Sequence, residues 1–219
     1  IKQFKYHIEY QMDIELVSYL YEKILPIYHQ FDQAHQLDHI HQVLKTSLDI
    51  AKDIKEIDLR LVYIIAFYHD IGNLYGRDDH HLTGAKYLYH DQMLKKYFSE
   101  EEMLLMKEAI EDHRASNHHE PRSIYGKIIA EADREIIPNL IIKRTVLFGL
   151  SHYPDLTIEE HSDRAILHLN EKYGEDGYLK LWLYSKKNVE GLKELRSLIK
   201  NKDKLRKIVE KYYKEYKKM

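Results

Sequence analysis

The sequence has no cysteine, only 4 prolines and only 8 glycines among its 219 residues. The absence of cysteine excludes disulfides and thiolate ligands, so any metal has to be held by nitrogen and oxygen atoms. The longest apolar run, Leu61 to Tyr68, has eight residues, whereas a membrane-spanning helix needs roughly 20. The first residues also lack the basic flank and apolar stretch of a secretory signal. We therefore expect no membrane partner and a cytoplasmic location.

The overall composition is typical of a soluble globular protein, with 44% hydrophobic and 32% charged residues. The formal net charge is only −2, but residues 186–219 hold 13 Lys and Arg against 5 Asp and Glu. Such a basic segment can attract phosphorylated ligands or nucleic acid. Because its lysines alternate with regularly spaced Leu, Ile and Tyr, we interpret it as the solvated face of amphipathic helices. We expect no nucleic-acid partner, and these helices are candidates for contacts in a homodimer.

Apolar residues recur with helical spacing along the chain, and no segment alternates with a period of two. We predict an all-α fold, a helical bundle forming one domain over residues 1–219. Its motif core covers about 32–137, and a C-terminal helical extension covers about 140–219. The predicted helices lie near 5–25, 38–54, 58–71, 80–97, 100–114, 123–136, 140–150, 157–173, 175–185 and 188–216. The last of these is expected to break around Asn201.

Several histidines and aspartates fall on the apolar faces or at the ends of these helices. His69 continues the buried stripe of a helix that ends at Asp70, and His113 lies three residues after an isoleucine of its own helix. Asp133 lies on an isoleucine stripe. An ionised carboxylate in apolar surroundings costs several kcal/mol unless a cation lies beside it. We infer that these side chains converge on a divalent metal. The alternative for Asp133 is a buried ion pair with Arg134 or another arginine.

Two further histidines are weaker candidates when taken alone. His39 shares its helix face with Val43 but also with polar residues, so a buried histidine without a metal is an equal alternative. His81 precedes Gly84 and Ala85, small residues that let two helices approach closely. On its own, His81 would be interpreted as a surface histidine near the start of a helix.

Taken in order, these residues resemble the HD-domain superfamily of metal-dependent phosphohydrolases. His39, the pair His69-Asp70 at the end of an apolar helix and the distant Asp133 match the order of that family's motif. The stretches 37–40 and 129–134 are similar to its flanking sequence. The resemblance covers about residues 32 to 137.

Two shorter patterns resemble the extra ligands of the multi-histidine branch of this superfamily. They are His-x-x-Gly-Ala at residues 81–85 and Ile-x-x-His at residues 110–113. The segment 120–127 is similar to that of small bacterial HD proteins. No Gly-Tyr-Pro follows the histidine pair, so the sequence does not support membership of the cyclic dinucleotide phosphodiesterases that carry this signature.

The resemblance implies an all-helical fold with metal held between helices and with His69 and Asp70 at the centre of catalysis. It implies that one ion is bound by His39, His69, Asp70 and Asp133, and a second by His81 and His113 with Asp70 bridging. His118 and His119 follow closely and could substitute for His113, but we expect them to line a loop.

Nitrogen and carboxylate ligands without thiolate suit iron, manganese, zinc, nickel or cobalt, as one ion or two. We predict that Arg114, Arg122 and Lys127 bind the phosphate of a small phosphorylated substrate, because arginine matches phosphate geometry in a bidentate manner. Histidine ligands need their second ring nitrogen anchored, and Glu111 or Asp112 could supply the anchor.

Three functions are compatible with this set of residues. The first is hydrolysis of a phosphomonoester or phosphodiester by metal-activated water, with a nucleotide or related metabolite as substrate. The second is a di-iron oxygenase of the same superfamily, whose ligand order is similar. The third is a non-catalytic nucleotide-binding or sensor domain. Intact ligand positions favour an enzyme over the third.

Overall fold

The structure, a computed structural model, describes residues 6–30, 37–117 and 119–217. Its described residues form helices and no strand, so the prediction of an all-α fold is confirmed. The α-helices are α1 (Ile14–Tyr19), α2 (Leu37–Ala51), α3 (Leu59–Tyr68), α4 (His80–His90), α5 (Glu100–Asp112), α6 (Ile124–Asp133), α7 (Pro138–His152), α8 (Ile158–Tyr173), α9 (Lys186–Lys200) and α10 (Lys202–Tyr216). Within these residues no helix is both long and apolar enough to cross a membrane.

Contacts between residues divide the chain into two units, Ile1–Asp133 and Arg134–Met219. The division falls close to the end of the predicted motif core. The interpretation of residues 1–219 as one domain stays a prediction.

Helix α3 is the central element of the first unit. It begins where the Asp58 carboxylate accepts a hydrogen bond from the Arg60 backbone N–H, which satisfies one of the free donors at a helix start. All of its residues from Leu61 to Tyr68 are buried, which explains why this run shows no polar face. The helix packs against α2, α5 and α6. Its C-terminal end therefore lies among other helices rather than in solvent.

The second unit is built by α7, α8 and α10, which pack against one another, together with α9. The chain leaves helix between α9 and α10 at Asn201, as the sequence predicted, and the Asn201 side chain accepts a hydrogen bond from the Lys204 backbone. Apolar side chains such as Leu195 and Val209 are fully buried, while the described lysines of α9 and α10 are exposed. This pattern is the one expected of amphipathic helices.

Three predicted helices differ from the structure. The helix predicted near 5–25 is interrupted at Met12 and Asp13, where the chain is extended between a 3₁₀ helix (His7–Gln11) and α1. No helix forms over 175–185; the chain turns at Gly174 and folds back, so that the backbone N–H groups of Tyr178 and Leu179 donate to carbonyls in the last turn of α8. These carbonyls would otherwise lack partners. The helix predicted to reach residue 97 ends at His90, because the Asp91 carboxylate accepts a hydrogen bond from a backbone N–H of the next turn.

Candidate metal centre

The pair His69 and Asp70 lies at the end of α3. His69 is the residue that caps this helix, and both side chains are buried, with His69 0% and Asp70 4% exposed. The His69 ring directs Nε2 towards Asp70, at 3.4 Å from Oδ2. Two polar side chains thus occupy the least accessible end of an otherwise apolar helix.

A first group of donor atoms forms around this pair from the start of α2 and the end of α6. His39 Nε2 lies 3.4 Å from His69 Nε2, 3.5 Å from Asp70 Oδ2 and 3.2 Å from Asp133 Oδ1. Asp133 Oδ1 is also 3.8 Å from His69 Nε2. The structure therefore brings together the four side chains that the sequence predicted for the first ion, from three helix ends that are far apart in the chain.

A second group of donor atoms lies on the other side of Asp70. Asp70 Oδ1 is 3.6 Å from Nε2 of His80, which is the first residue of α4. His113, the residue that caps α5, is 1% exposed and completes the group, and its ring centre is 5.3 Å from that of His80. The ligating atoms of Asp70, His80 and His113 all lie within 4.8 Å of one another. Asp70 offers one oxygen to each group, as expected for a bridging carboxylate.

The structure places His80 in this second group, and it does not bring the sequence-predicted His81 to it. Gly84 packs against the backbone of Gly72, in the turn that follows Asp70. His80 and His81 lie four and three positions before Gly84, and both spacings fall near the same helix face. The distance of 3.6 Å from His80 Nε2 to Asp70 Oδ1 is what places His80 in the group. His81 points elsewhere, and its Nδ1 is buried without a hydrogen-bond partner among the described residues.

Three of the histidine ligands are oriented by the same kind of hydrogen bond. In each, Nδ1 donates to the backbone carbonyl three residues earlier: His69 to Ala66 at 2.8 Å, His80 to Arg77 at 2.7 Å, and His113 to Ile110 at 2.6 Å. With Nδ1 protonated, Nε2 keeps its lone pair and faces the carboxylates. Backbone carbonyls thus replace the side-chain anchors predicted from the sequence.

The predicted anchors, Glu111 and Asp112, bind arginine instead. Arg122 donates to Asp112 Oδ2 at 3.0 Å and to Glu111 Oε2 at 2.6 Å, and Asp112 is 3% exposed. The hydrogen bond to Asp112 raises the pKa of Arg122 further above its ordinary value. A guanidinium held by two carboxylates is not available for a phosphate group, so the structure does not support the phosphate-binding assignment of Arg122.

The other two predicted phosphate ligands lie on the surface. Lys127 forms an ion pair with the exposed Glu120. Arg114 donates to the backbone carbonyl of Asp78 at 2.6 Å, in the segment that leads into α4. Arg114 therefore lies on the side of the second group, and its role towards phosphate stays a prediction.

His119 does not join the metal centre. His119 is on an exposed loop, where Nδ1 contacts the Glu120 carbonyl and Nε2 lies 4.0 Å from Asp112 Oδ1. This agrees with the expectation that it lines a loop. His118 lies outside the described residues.

The charges of the centre favour a bound cation. Burial lowers the pKa of His39, but hydrogen bonds to Asp133 and Asp70 outweigh it and raise the pKa to about 10. Burial would raise the pKa of Asp70, yet His69 and His39 hold it well below its usual range. Burial lowers the pKa of His113 to about 4, so this imidazole stays neutral. The carboxylates thus stabilise a positive charge beside them. When no metal ion is bound, that charge is a proton on His39.

The residues present fit a divalent metal. The first group supplies two imidazole nitrogens and two carboxylate oxygens, and the second supplies two imidazole nitrogens and an oxygen of Asp70. Three of the helix ends that meet here, those of α3, α5 and α6, are C-terminal ends, where the helix dipole is negative and favours cations. Neutral histidine and carboxylate ligands suit iron, manganese, zinc, nickel or cobalt, and no cysteine competes.

Comparison with known protein families identifies the domain in which these ligands lie. The model of the HD domain family matches residues 37–136, a span that contains every ligand described above. The chain contains an HD domain. Among solved structures, a protein described as a predicted HD superfamily hydrolase from an uncultured Thermotogales bacterium is similar at 26% identity, covering 73% of this chain and 94% of its own, with a TM-score of 0.47. Comparison with curated proteins gave no match.

The pair His69 and Asp70, on which the resemblance to the HD superfamily rests, lies within the matched residues. Of the other predicted ligands, the structure brings His39 and Asp133 to the first group and His113 to the second. His80 was missed because two adjacent histidines open α4 and apolar periodicity does not separate them. No spacing within α4 separates the two, because both histidines lie within about one turn of Gly84.

Proposed function

We propose that this HD domain is a metal-dependent phosphohydrolase that acts on a phosphomonoester or phosphodiester, with a nucleotide or related small metabolite as substrate. The observation that carries the proposal is the pair of donor groups that share Asp70 and contain only nitrogen and oxygen ligands. A bound divalent ion lowers the pKa of its water towards neutrality and offsets negative charge that develops on a phosphoryl group.

The side chains of this chain prepare the site for that chemistry. Backbone carbonyls hold Nδ1 of His69, His80 and His113, so that the three rings are already oriented towards the carboxylates before a metal ion binds. Asp70 is buried and ionised, and it links the two groups. His39 and Asp133 are partly exposed, at 22% and 30% of their side-chain surface. Substrate would therefore approach from the side of His39 and Asp133.

The test compares phosphate release by wild type, Asp70→Asn and Asp70→Ala, each purified in parallel and supplied with manganese, iron or zinc. Asp155→Ala serves as the matched control, since Asp155 is exposed on a loop outside the site. We expect loss of both metal binding and turnover in the two Asp70 variants only. Undiminished phosphate release by Asp70→Asn would contradict the proposal.

The same donor set is compatible with two irons, so the assay also distinguishes the oxygenase alternative. Iron-loaded protein is incubated with substrates under air and under nitrogen, and oxygen consumption is recorded. Phosphate release under nitrogen is the expected result. Oxygen uptake without phosphate release would favour oxygenation, and tight nucleotide binding without either activity would favour a sensor domain.

A further inference from the structure

A tyrosine hydroxyl from outside the metal centre contacts the last turn of α3. Tyr28 belongs to a 3₁₀ helix, Leu25–Gln30, and is fully buried. Its hydroxyl donates a hydrogen bond to the Phe67 backbone carbonyl at 2.8 Å, and this contact is buried as well. Phe67 lies two residues before His69 and three before Asp70. The hydroxyl therefore contacts the stretch of backbone that leads directly into the two central ligands.

The carbonyl that Tyr28 contacts is one that needs a partner from another element. A carbonyl in the last turn of a helix has no helical N–H group to accept from. Phe67 is also buried, and a buried acceptor without a hydrogen bond costs free energy. Helix ends that lack such partners fray. The Tyr28 hydroxyl thus stabilises the turn of α3 that carries the ligands.

The hydrogen bond that His69 forms has a different effect. Its Nδ1 donates to the Ala66 carbonyl at 2.8 Å, and both partners lie at the end of α3. This bond orients the ring relative to its own turn, but it does not fix the turn relative to other helices. Tyr28 comes from an element that packs against α2, which carries His39, and against the short helix Ile71–Tyr75. Its hydroxyl therefore links the ligand-bearing turn to two elements that surround the metal centre.

The hydroxyl of Tyr28 is protonated and available as a donor. Burial raises the pKa of Tyr28 well above its ordinary value, the charge of Asp70 raises it further, and a hydrogen bond from the Asp70 backbone counteracts part of the rise. At neutral pH, Tyr28 therefore donates a hydrogen bond and brings no charge of its own into the apolar core. Its influence on the site passes through the backbone of α3.

We propose that Tyr28 is a positioning residue of the metal centre, whose hydroxyl holds the end of α3 so that His69 and Asp70 meet the other ligands. Tyr28 is not itself a ligand, since its hydroxyl is directed at a backbone carbonyl. Because Asp70 contributes one oxygen to each donor group, a displaced turn weakens the binding of both ions. The inference rests on the metal centre of the proposed function and is independent of the reaction that takes place there.

The experiment removes the hydroxyl alone, in Tyr28→Phe, and compares the variant with Tyr63→Phe. Tyr63 is the matched control, because it is also fully buried and its hydroxyl donates to Glu9 Oε1 at 2.7 Å. It lies in α3 six residues before His69, about 9 Å away along the helix axis at 1.5 Å per residue. Zinc affinity is measured by competition with a chromophoric chelator, and the absorption spectrum of cobalt-loaded protein reports ligand geometry. Thermal unfolding is recorded for each metal-free protein.

Both variants lose a buried hydroxyl, and we expect them to lower the unfolding temperature by similar amounts. Tyr28→Phe alone should raise the Kd for zinc by about 10–100-fold, the range for loss of a hydrogen-bond partner behind a metal ligand, and should change the cobalt spectrum. A third variant carries 4-aminophenylalanine in place of Tyr28, which keeps the ring and returns an N–H donor. It should restore much of the lost affinity.

A zinc Kd and a cobalt spectrum of Tyr28→Phe equal to those of wild type, or equal losses in both phenylalanine variants, would overturn the inference. Absence of zinc binding by wild type would overturn it together with the metal centre. None of these readouts depends on turnover, so absent phosphate release contradicts the phosphohydrolase proposal alone. If Tyr28→Phe does not fold, the NMR signal of the Tyr28 hydroxyl proton in wild type decides. A shift on zinc binding that exceeds the shift at Tyr63 supports the inference, and an unchanged signal overturns it.

Discussion

Replacing His80 by alanine is expected to remove one metal ion from the protein, whereas replacing the adjacent His81 leaves the metal content unchanged. His80 Nε2 lies 3.6 Å from Asp70 Oδ1, in a group that His113 completes. No comparable contact to either carboxylate of the centre is formed by His81 in the described residues. The two variants differ by one position in the chain and delete the same side chain, so each serves as the control of the other.

The expected loss of metal affinity follows from the number of protein ligands that remain. The second group has three protein donors, and His80→Ala leaves Asp70 and His113. Loss of a hydrogen-bond partner behind a metal ligand already costs about 10–100-fold in affinity. Loss of the ligand itself should therefore raise the Kd for the second ion by about 100-fold or more, which is about 2.7 kcal/mol.

The assay is metal content per chain by elemental mass spectrometry. Each protein is first equilibrated with a small excess of manganese or zinc, and unbound metal is removed by gel filtration. Wild type and His81→Ala should carry two ions, and His80→Ala one. Thermal unfolding of the metal-free proteins shows whether either change has disturbed the fold. We expect differences below about 1 kcal/mol, because neither ring is fully buried.

The opposite pattern, in which His81→Ala loses an ion and His80→Ala retains both, would refute the geometric assignment and restore the one made from the sequence. Two ions in both variants would refute any contribution of this histidine pair. If wild type carries only one ion at saturation and His80→Ala carries the same amount, the second group is not a metal site.

Three further predictions concern the surroundings of the centre. Because the neighbouring carboxylates overcome the effect of burial and raise the pKa of His39 to about 10, metal has to displace a proton, and metal affinity should rise with pH up to about 10. At pH 7, calorimetry in buffers of different ionisation heat should show at least one proton released at the first ion, since Asp70 and Asp133 also outweigh burial and raise the pKa of His69. Gly72→Ala should destabilise the protein by more than about 2 kcal/mol and lower metal content, since a Cβ there would lie 1.9 Å from the His80 carbonyl; unchanged urea unfolding would contradict this. Arg122→Ala should cost about 1–3 kcal/mol of stability, because it leaves the buried Asp112 without its cation, but should keep the metal content of wild type; loss of metal in this variant would show that Arg122 acts on the site.

Apolar periodicity pointed to His69, His113 and Asp133, because each of these polar residues lies on an apolar stripe. Asp133 and His113 stand out for this reason, and the structure places both where helices end against α3. His39 and the division into two ion sites came from the resemblance to the HD superfamily.

His80 could not be separated from His81 in the same way, since the choice depends on which face of α4 meets Gly72, a tertiary contact. Apolar periodicity indicates that a helix face is buried, but it does not indicate which residues pack against that face.

The prediction of phosphate-binding arginines also depended on contacts that the sequence does not show. Arg122 was predicted to bind phosphate because it lies near the ligands in sequence. In the structure it faces carboxylates ten and eleven residues earlier, at the end of α5. A buried carboxylate such as Asp112 needs a cation nearby, and the nearest chain segment supplied one. Only the folded contacts show that this requirement takes the guanidinium away from a substrate.

The anchoring of the ligands explains why the motif can be so dispersed along the chain. His69, His80 and His113 each donate Nδ1–H to the carbonyl three residues before it. For His69 and His113 these carbonyls lie in the last turn of a helix, where backbone acceptors lack helical partners. Each ligand therefore carries its own orienting group within one turn of backbone, and no second side chain has to be brought from elsewhere. What tertiary structure adds is the meeting of helix ends around Asp70, so substitutions that keep those ends in place should preserve the site even where they change neighbouring side chains.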